Sequence, residues 1–211
     1  MLVISPERRT PLRIALVIIA ATIGWGGGAL ASEITAPVEQ LHAGLVSIMK
    51  AGKTATFRQR YEAIAPVIGR TFDLEAILRQ VVGPRWGSLP ADQQTALADA
   101  FRRYTIASYV ANFDTYSGQR FDIAPIVKAV GNDRVVETRI ASPGDRGHGL
   151  DYVMRQESGG WKVVDVLAQG AISRVASQRS EMRSLLADGG GAGLLVNLRQ
   201  KTAELSGGIL Q

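Results

Sequence analysis

Few residues of this 211-residue chain have side chains suited to bond-making chemistry. Cysteine is absent, which excludes a thiol nucleophile, thiolate zinc sites, disulfide staples and a lipidated N-terminal Cys. The two histidines are His42 and His148. His148 stands in a glycine-rich stretch near Asp145 and Asp151, the composition of a solvated loop. His42 falls on an expected helix, and neither histidine has neighbours at metal-ligand spacing. Gly52-Lys53-Thr54 has the ending of a phosphate-binding loop, but the leading glycine of that motif would fall on Ser47, and the segment joins two helices rather than following a strand. Gly189-Gly-Gly-Ala-Gly193 lacks the G-x-G-x-x-G spacing and reads as a helix breaker, and there is no G-x-S-x-G elbow. No catalytic residue, metal ligand or cofactor is assigned on these grounds. Asp165 is the unusual group: it shares the odd-numbered face of an expected strand with Trp161, Val163 and Leu167. A carboxylate there needs a donor or solvent. Arg179, which interrupts an apolar helix stripe, is expected to supply it and clamp strand to helix. A ligand contact or a catalytic acid is the alternative role for Asp165.

The elements that must position these groups follow from hydrophobic period. Residues 38–51 put Leu41, Leu45, Ile48 and Met49 on one helical stripe, and residues 54–68 repeat the pattern with Phe57, Tyr61, Ile64 and Ile68. Thr71 is expected to cap a short helix over 73–82, stopped by Gly83-Pro84. The longest helix is expected over 91–116, with two apolar faces that imply burial on more than one side. Strand-like alternation then takes over at 120–130, 134–141, 150–156 and 161–167, with Pro125 marking an edge or a bulge. Short turns link the four strands into an antiparallel meander. A final helical stripe runs through Ile172, Val175, Ala176, Met182, Leu185 and Leu186, and a last short helix through Leu194, Leu195, Leu198 and Leu205. The expected architecture is α+β: a four-stranded antiparallel meander packed on a helical layer.

The first residues read as an address. Arg8, Arg9 and Arg13 precede the apolar run 14–23, and a glycine-rich stretch ends at Ala29-Leu30-Ala31. These are the three parts of a secretory signal peptide. We therefore expect a signal segment over 1–31, with a retained anchor as the alternative, and a single domain over 32–211. Removing three of 24 basic and one of 19 acidic residues lowers the net charge from +5 to +3. No run of Lys and Arg with interleaved aromatics appears, so no nucleic-acid partner is expected. An exported chain without cysteine reads as periplasmic.

Several stretches taken in order resemble a known family. Thr71-Phe72-Asp73-Leu74 precedes Gly83-Pro-Arg-Trp86; Gln93 and Gln94 lead into a helix with Phe101 and Tyr109, then Tyr116-Ser-Gly118. Trp161-Lys-Val-Val-Asp165-Val166 follows, then Gly170, Ser173 and Arg179. This order and spacing, over about residues 36–205, resembles the MlaC family of periplasmic lipid carriers, also called the toluene-tolerance family. The Gly170-to-Ala176 run and the Leu205-Ser-Gly-Gly ending look more like its hopanoid-associated branch, HpnM. Ala176-Ser-Gln-Arg179 and Met182 depart from the bulkier, more aromatic pattern the family often has there.

The resemblance implies a shuttle, not an enzyme, carrying phospholipid or hopanoid between inner and outer membranes and serving outer-membrane lipid asymmetry. Its implied partners are an inner-membrane ABC transporter component of the MCE type and an outer-membrane acceptor. It also implies a lipid pocket between sheet and helices. Such a pocket has a large job: at about 0.8 kcal/mol per methylene, one long acyl chain in water costs roughly 13 kcal/mol. Inward strand positions and facing helix stripes should line the pocket: Phe101, Tyr104, Val136, Ile140, Tyr152, Met154, Val163 and Ile172. The even face of the last strand, Val164 and Val166, is an equal alternative for the inner one. Arg102, Arg103 and Arg174 are surface cations that suit anionic membranes or a merely solvated face. Two other readings are a small exported enzyme, requiring His42 or His148 to meet Asp165 in the cavity, and an anchored scaffold with a filled core.

Overall fold

The computed structural model describes residues 26–210. Most of the expected leader, residues 1–25, lies outside the described residues; 26–31 form the first turns of α1. No described helix is long and apolar enough to cross a membrane.

Four helices come first. α1 (Gly26–Ala51) buries Val38, Leu41, Leu45 and Ile48 along one stripe. α2 (Phe57–Thr71) starts at a capping box: the Gln59 N–H donates to Thr56 Oγ1 at 3.2 Å, and the Thr56 N–H donates to Gln59 Oε1 at 2.8 Å. α3 (Leu74–Val82) is capped by Asp73, whose carboxylate accepts from the Ala76 N–H at 2.9 Å. Thr71 is therefore not the cap: it ends α2, and its hydroxyl donates to Pro37 O at 3.2 Å, tying α2 to α1. A 3₁₀ segment, Gly83–Ser88, leads to α4 (Ala91–Asn112), which packs on α2, α3 and the last helix. α4 stops four residues short of the expected end, leaving Tyr116 exposed.

The meander forms, in seven segments: β1 (Arg120–Ile123), β2 (Lys128–Val130), β3 (Asp133–Val136), β4 (Thr138–Ala141), β5 (His148–Glu157), β6 (Gly160–Ala168) and β7 (Ile172–Ser173). All pairings are antiparallel: β1 with β4, β2 with β3, β3 and β4 with β5, β5 with β6, and β6 with β7. The expected strand 120–130 breaks at Pro125, which has no N–H for the ladder. Its partner breaks opposite, where Glu137 O accepts from the Ala124 N–H at 2.9 Å. At the same break the Asp151 carboxylate, nearly buried, accepts from the Thr138 N–H at 3.1 Å.

A bulge between β5 and β6 settles which residues of β6 face inward. Met154 pairs with Val163 and Val153 with Asp165, so Val164 is an extra residue. Inward parity therefore switches along the strand: Trp161 and Val163 are buried before the bulge, and Val166 is buried after it. Each of the two alternatives holds on one side of the bulge. The residues between α2 and α3 dock on the free edge of β6 through an Asp73 N–H to Val163 O bond of 3.0 Å.

The last helix, α5 (Arg174–Leu205), kinks at Gly190. Its first half packs toward α3 and β6, with Val175, Met182 and Leu186 buried; its second half buries Leu194, Leu198 and Thr202. Ile172 is not on this helix as the stripe suggested: it belongs to β7 and is 55% exposed.

Candidate functional site

The helical layer and the sheet do not close completely. A cavity of about 390 Å³ lies between α3, α4, the start of α5 and strands β5 and β6. Its apolar walls come from Phe72, Leu74 and Ile77 near α3, Phe101 and Phe113 at either end of the α4 wall, Leu150 of β5, Val166 of β6 and Val175 of α5. Polar groups enter from two sides. α4 contributes Tyr104, Thr105, Ser108, Tyr109 and Asn112, while the sheet-to-helix corner contributes Asp165, Arg174 and Gln178. No histidine lines the cavity among the described residues.

The corner is built by Asp165. Its carboxylate accepts from the Val166 N–H at 2.7 Å, from the Val175 N–H at 3.1 Å and from the Ser173 hydroxyl. Ser173 is the N-cap of α5 and accepts from the Ala176 N–H at 2.9 Å. The carboxylate thus meets the donor-rich, partially positive end of a helix and neutralises it. Arg179 is not its partner, as the sequence suggested. The Arg179 guanidinium lies against Gly83 instead. The strand-to-helix clamp exists, but backbone N–H groups and a cap hydroxyl make it.

An aromatic row backs the cavity. Phe72 meets Tyr109 at 5.6 Å, Tyr109 stacks on Phe113 at 5.9 Å, and Phe113 meets Phe121 at 6.1 Å. Phe121 then stacks on His42 of α1 at 4.4 Å. His42 Nε2 is 3.3 Å from Tyr152 Oη. Burial lowers His42 to about 4, so its imidazole is neutral. Burial also pushes the phenols of Tyr152 and Tyr109 up, the latter partly offset by Arg174. His148 is exposed, 3.8 Å from Asp145. The meeting of a histidine with Asp165 that an enzyme would need here is not formed.

Of the eight residues expected to line a pocket, Phe101 and Tyr104 do line this cavity. Val136, Tyr152, Met154 and Val163 do not line this cavity and are buried in the core where the sheet meets α1 and α2. Ile140 is half-buried on β4, away from the cavity, and Ile172 faces solvent. The other lining residues, Phe72, Thr105, Ser108, Tyr109 and Arg174 among them, were not among the eight. For α4 a signal was present: Thr105, Ser108, Tyr109 and Asn112 recur at helical spacing, so one face carries polar tips. Of the surface cations, Arg174 stands at the cavity and Arg102 and Arg103 lie on the exposed side of α4.

Comparison with known proteins gives three findings. No curated protein matches the chain. Among solved structures, the fold is similar to that of a phospholipid-binding protein from Ralstonia solanacearum, solved in complex with a phospholipid. The TM-score is 0.71 at 20% identity, covering 82% of this chain and 98% of that one. The family model described as MlaC protein matches residues 39–200, which contain every wall of the cavity, and the chain therefore belongs to the MlaC family.

Proposed function

We propose that this protein is a lipid carrier that holds acyl lipid in the cavity between sheet and helices. In this reading it moves phospholipid through the periplasm, taking it from or giving it to an MCE-type component of an inner-membrane ABC transporter and an outer-membrane acceptor. The observation that carries the reading is the cavity itself: apolar walls, a polar corner, and membership of the MlaC family around it. A carrier breaks no bond, and the cavity groups suit that. Asp165 is tied to three donors, the Tyr109 phenol stays protonated, and Arg174 is a cation suited to a headgroup phosphate. The relative solved with phospholipid favours that class over a hopanoid.

The test is native mass spectrometry of the exported protein, with extraction and identification of whatever lipid comes with it. A phospholipid adduct is expected. Val166→Trp, which fills the cavity from β6, is expected to lose most of the adduct while keeping its circular dichroism. Protein that carries no lipid and takes up none when offered after delipidation would overturn the reading. A triterpenoid in the extract would replace phospholipid by hopanoid as the cargo.

A further inference from the structure

We infer that Tyr109 selects ester-linked acyl lipids, its hydroxyl donating a hydrogen bond to the ester carbonyl of the bound chain; this rests on the carrier reading. An alkyl chain needs only apolar walls, yet the α4 wall presents Thr105, Ser108, Tyr109 and Asn112 on one face. Hydrocarbon gains nothing from these groups.

Tyr109 is the telling one. Its ring is fixed between Phe72 and Phe113, so the position of its hydroxyl is set in advance. Tyr109 is half-buried and lines the cavity, where a tyrosine hydroxyl ordinarily finds a partner. Tyr152 has one in His42, but Tyr109 has none among the described residues. Thr105, one turn earlier, also lacks a partner, and more completely. Its Oγ1 is buried and unpartnered, whereas Thr95 in the same helix and Thr202 in α5 return their hydroxyls to the carbonyls of Ala91 and Leu198 at 3.0 and 2.7 Å. Thr105 forgoes that local bond, and one staggered step of χ1 exchanges its methyl and hydroxyl positions. The nearby carboxylate, Asp165, is already committed to its own corner.

The missing partner is an acceptor, because the Tyr109 phenol stays protonated. It must also sit where an alkyl chain meets a polar head, because the cavity around Tyr109 is lined by both apolar residues and Arg174, which is close enough to act on the Tyr109 phenol. An ester carbonyl meets both conditions. A polycyclic hydrocarbon carries no acceptor at that depth, and an ether link has no carbonyl.

The test compares two single-chain lipids of equal length, 1-myristoyl- and 1-O-tetradecyl-glycerophosphocholine, binding to delipidated protein below their micelle concentrations. The wild type is expected to bind the ester about five- to tenfold more tightly, the worth of one net hydrogen bond. Tyr109→Phe is expected to bring the two affinities together by weakening the ester form alone. Equal wild-type affinities, or a preference that survives in Tyr109→Phe, would overturn the inference and leave the carrier reading standing. Failure of both lipids to bind would remove the carrier reading and this inference with it.

Discussion

His42 is where single-residue chemistry reaches furthest into the behaviour of the protein. Its imidazole is wedged between Phe121 and the Tyr152 hydroxyl, and burial lowers its pKa from 6.5 to about 4. The folded state therefore resists protonation more than the unfolded chain does. The neutral form contributes its full stability above about pH 6.5, and that contribution is lost as pH falls from 6.5 toward 4, by about 3 kcal/mol in all. Urea unfolding at pH 7.5 and 4.5 checks this against His42→Phe. The variant keeps a ring against Phe121 but unpairs Tyr152, costing about 1–2 kcal/mol at pH 7.5. Between the two pH values the wild type should lose about 2–3 kcal/mol more than the variant. Equal losses would show that His42 is not the titrating group. At this same scale, Asp165 shows how far a sequence can be read. An acid on an apolar strand face announced a clamp, and the clamp is there. Its donors are the Val166 N–H of its own strand, the Val175 N–H of the approaching helix and the Ser173 cap hydroxyl; every residue but proline has a backbone N–H and no pattern marks one, so the more conspicuous Arg179 drew the assignment.

Among the elements, α2, α3 and α4 were legible to within about a turn from their buried stripes, whereas α1 begins twelve residues before the expected start at 38 and the α2 capping box was not read. The sheet was legible as a meander but not in its breaks. Pro125 signalled one irregularity, yet nothing marked the opposite break at Glu137 or the side chain of Asp151 standing in at Thr138. The β5–β6 bulge was equally hidden, because an extra residue shows only once two strands are laid side by side. It matters for the site: without the parity switch, Val166 would turn away from the cavity. The glycine run 189–191 was read as a breaker, and the structure gives its last two glycines different jobs. Gly190 has φ 57° and ψ −150°, a conformation open in practice to glycine alone. Gly191 is the contact point of α5 on α4, where a Cβ would come within 2.5 Å of Gln93 Oε1 and 3.1 Å of Leu89 Cδ2. Gly189 has ordinary backbone angles and open space around it. Gly190→Ala should therefore cost about 1–3 kcal/mol, whereas Gly189→Ala should be neutral or add up to about 1 kcal/mol from helix propensity. Thermal denaturation of the two variants separates them. Equal melting temperatures would mean the kink does not depend on Gly190.

For the molecule as a whole, the question is how much of the space between the layers belongs to a ligand. Val136, Tyr152, Met154 and Val163 are buried where α1 and α2 lie on the sheet and do not line the cavity. Periodicity could not tell these residues from Phe101, because inward-facing is a property of one element, and lining a gap depends on whether the opposite layer reaches it. The gap exists where α4 and the start of α5 stand off β5 and β6. Its size sets a limit. At roughly 30 Å³ per water- or methylene-sized group, the 390 Å³ cavity holds about 13 such groups, one acyl chain rather than two. Each methylene that enters gains about 0.8 kcal/mol, or close to fourfold in affinity. For single-chain glycerophosphocholines from decanoyl to stearoyl, affinity for the delipidated protein should climb steeply with length and flatten near tridecanoyl, because later carbons find no wall. Isothermal titration across the series reads the break directly. A slope that continues unbroken to stearoyl would mean that the helical layer lifts from the sheet as the chain enters, so that the cargo sets the capacity and the empty cavity does not. A two-chain lipid would then be carried by the same movement, with the α5 kink and the 3₁₀ segment at Gly83–Ser88 as the places where the layer can bend.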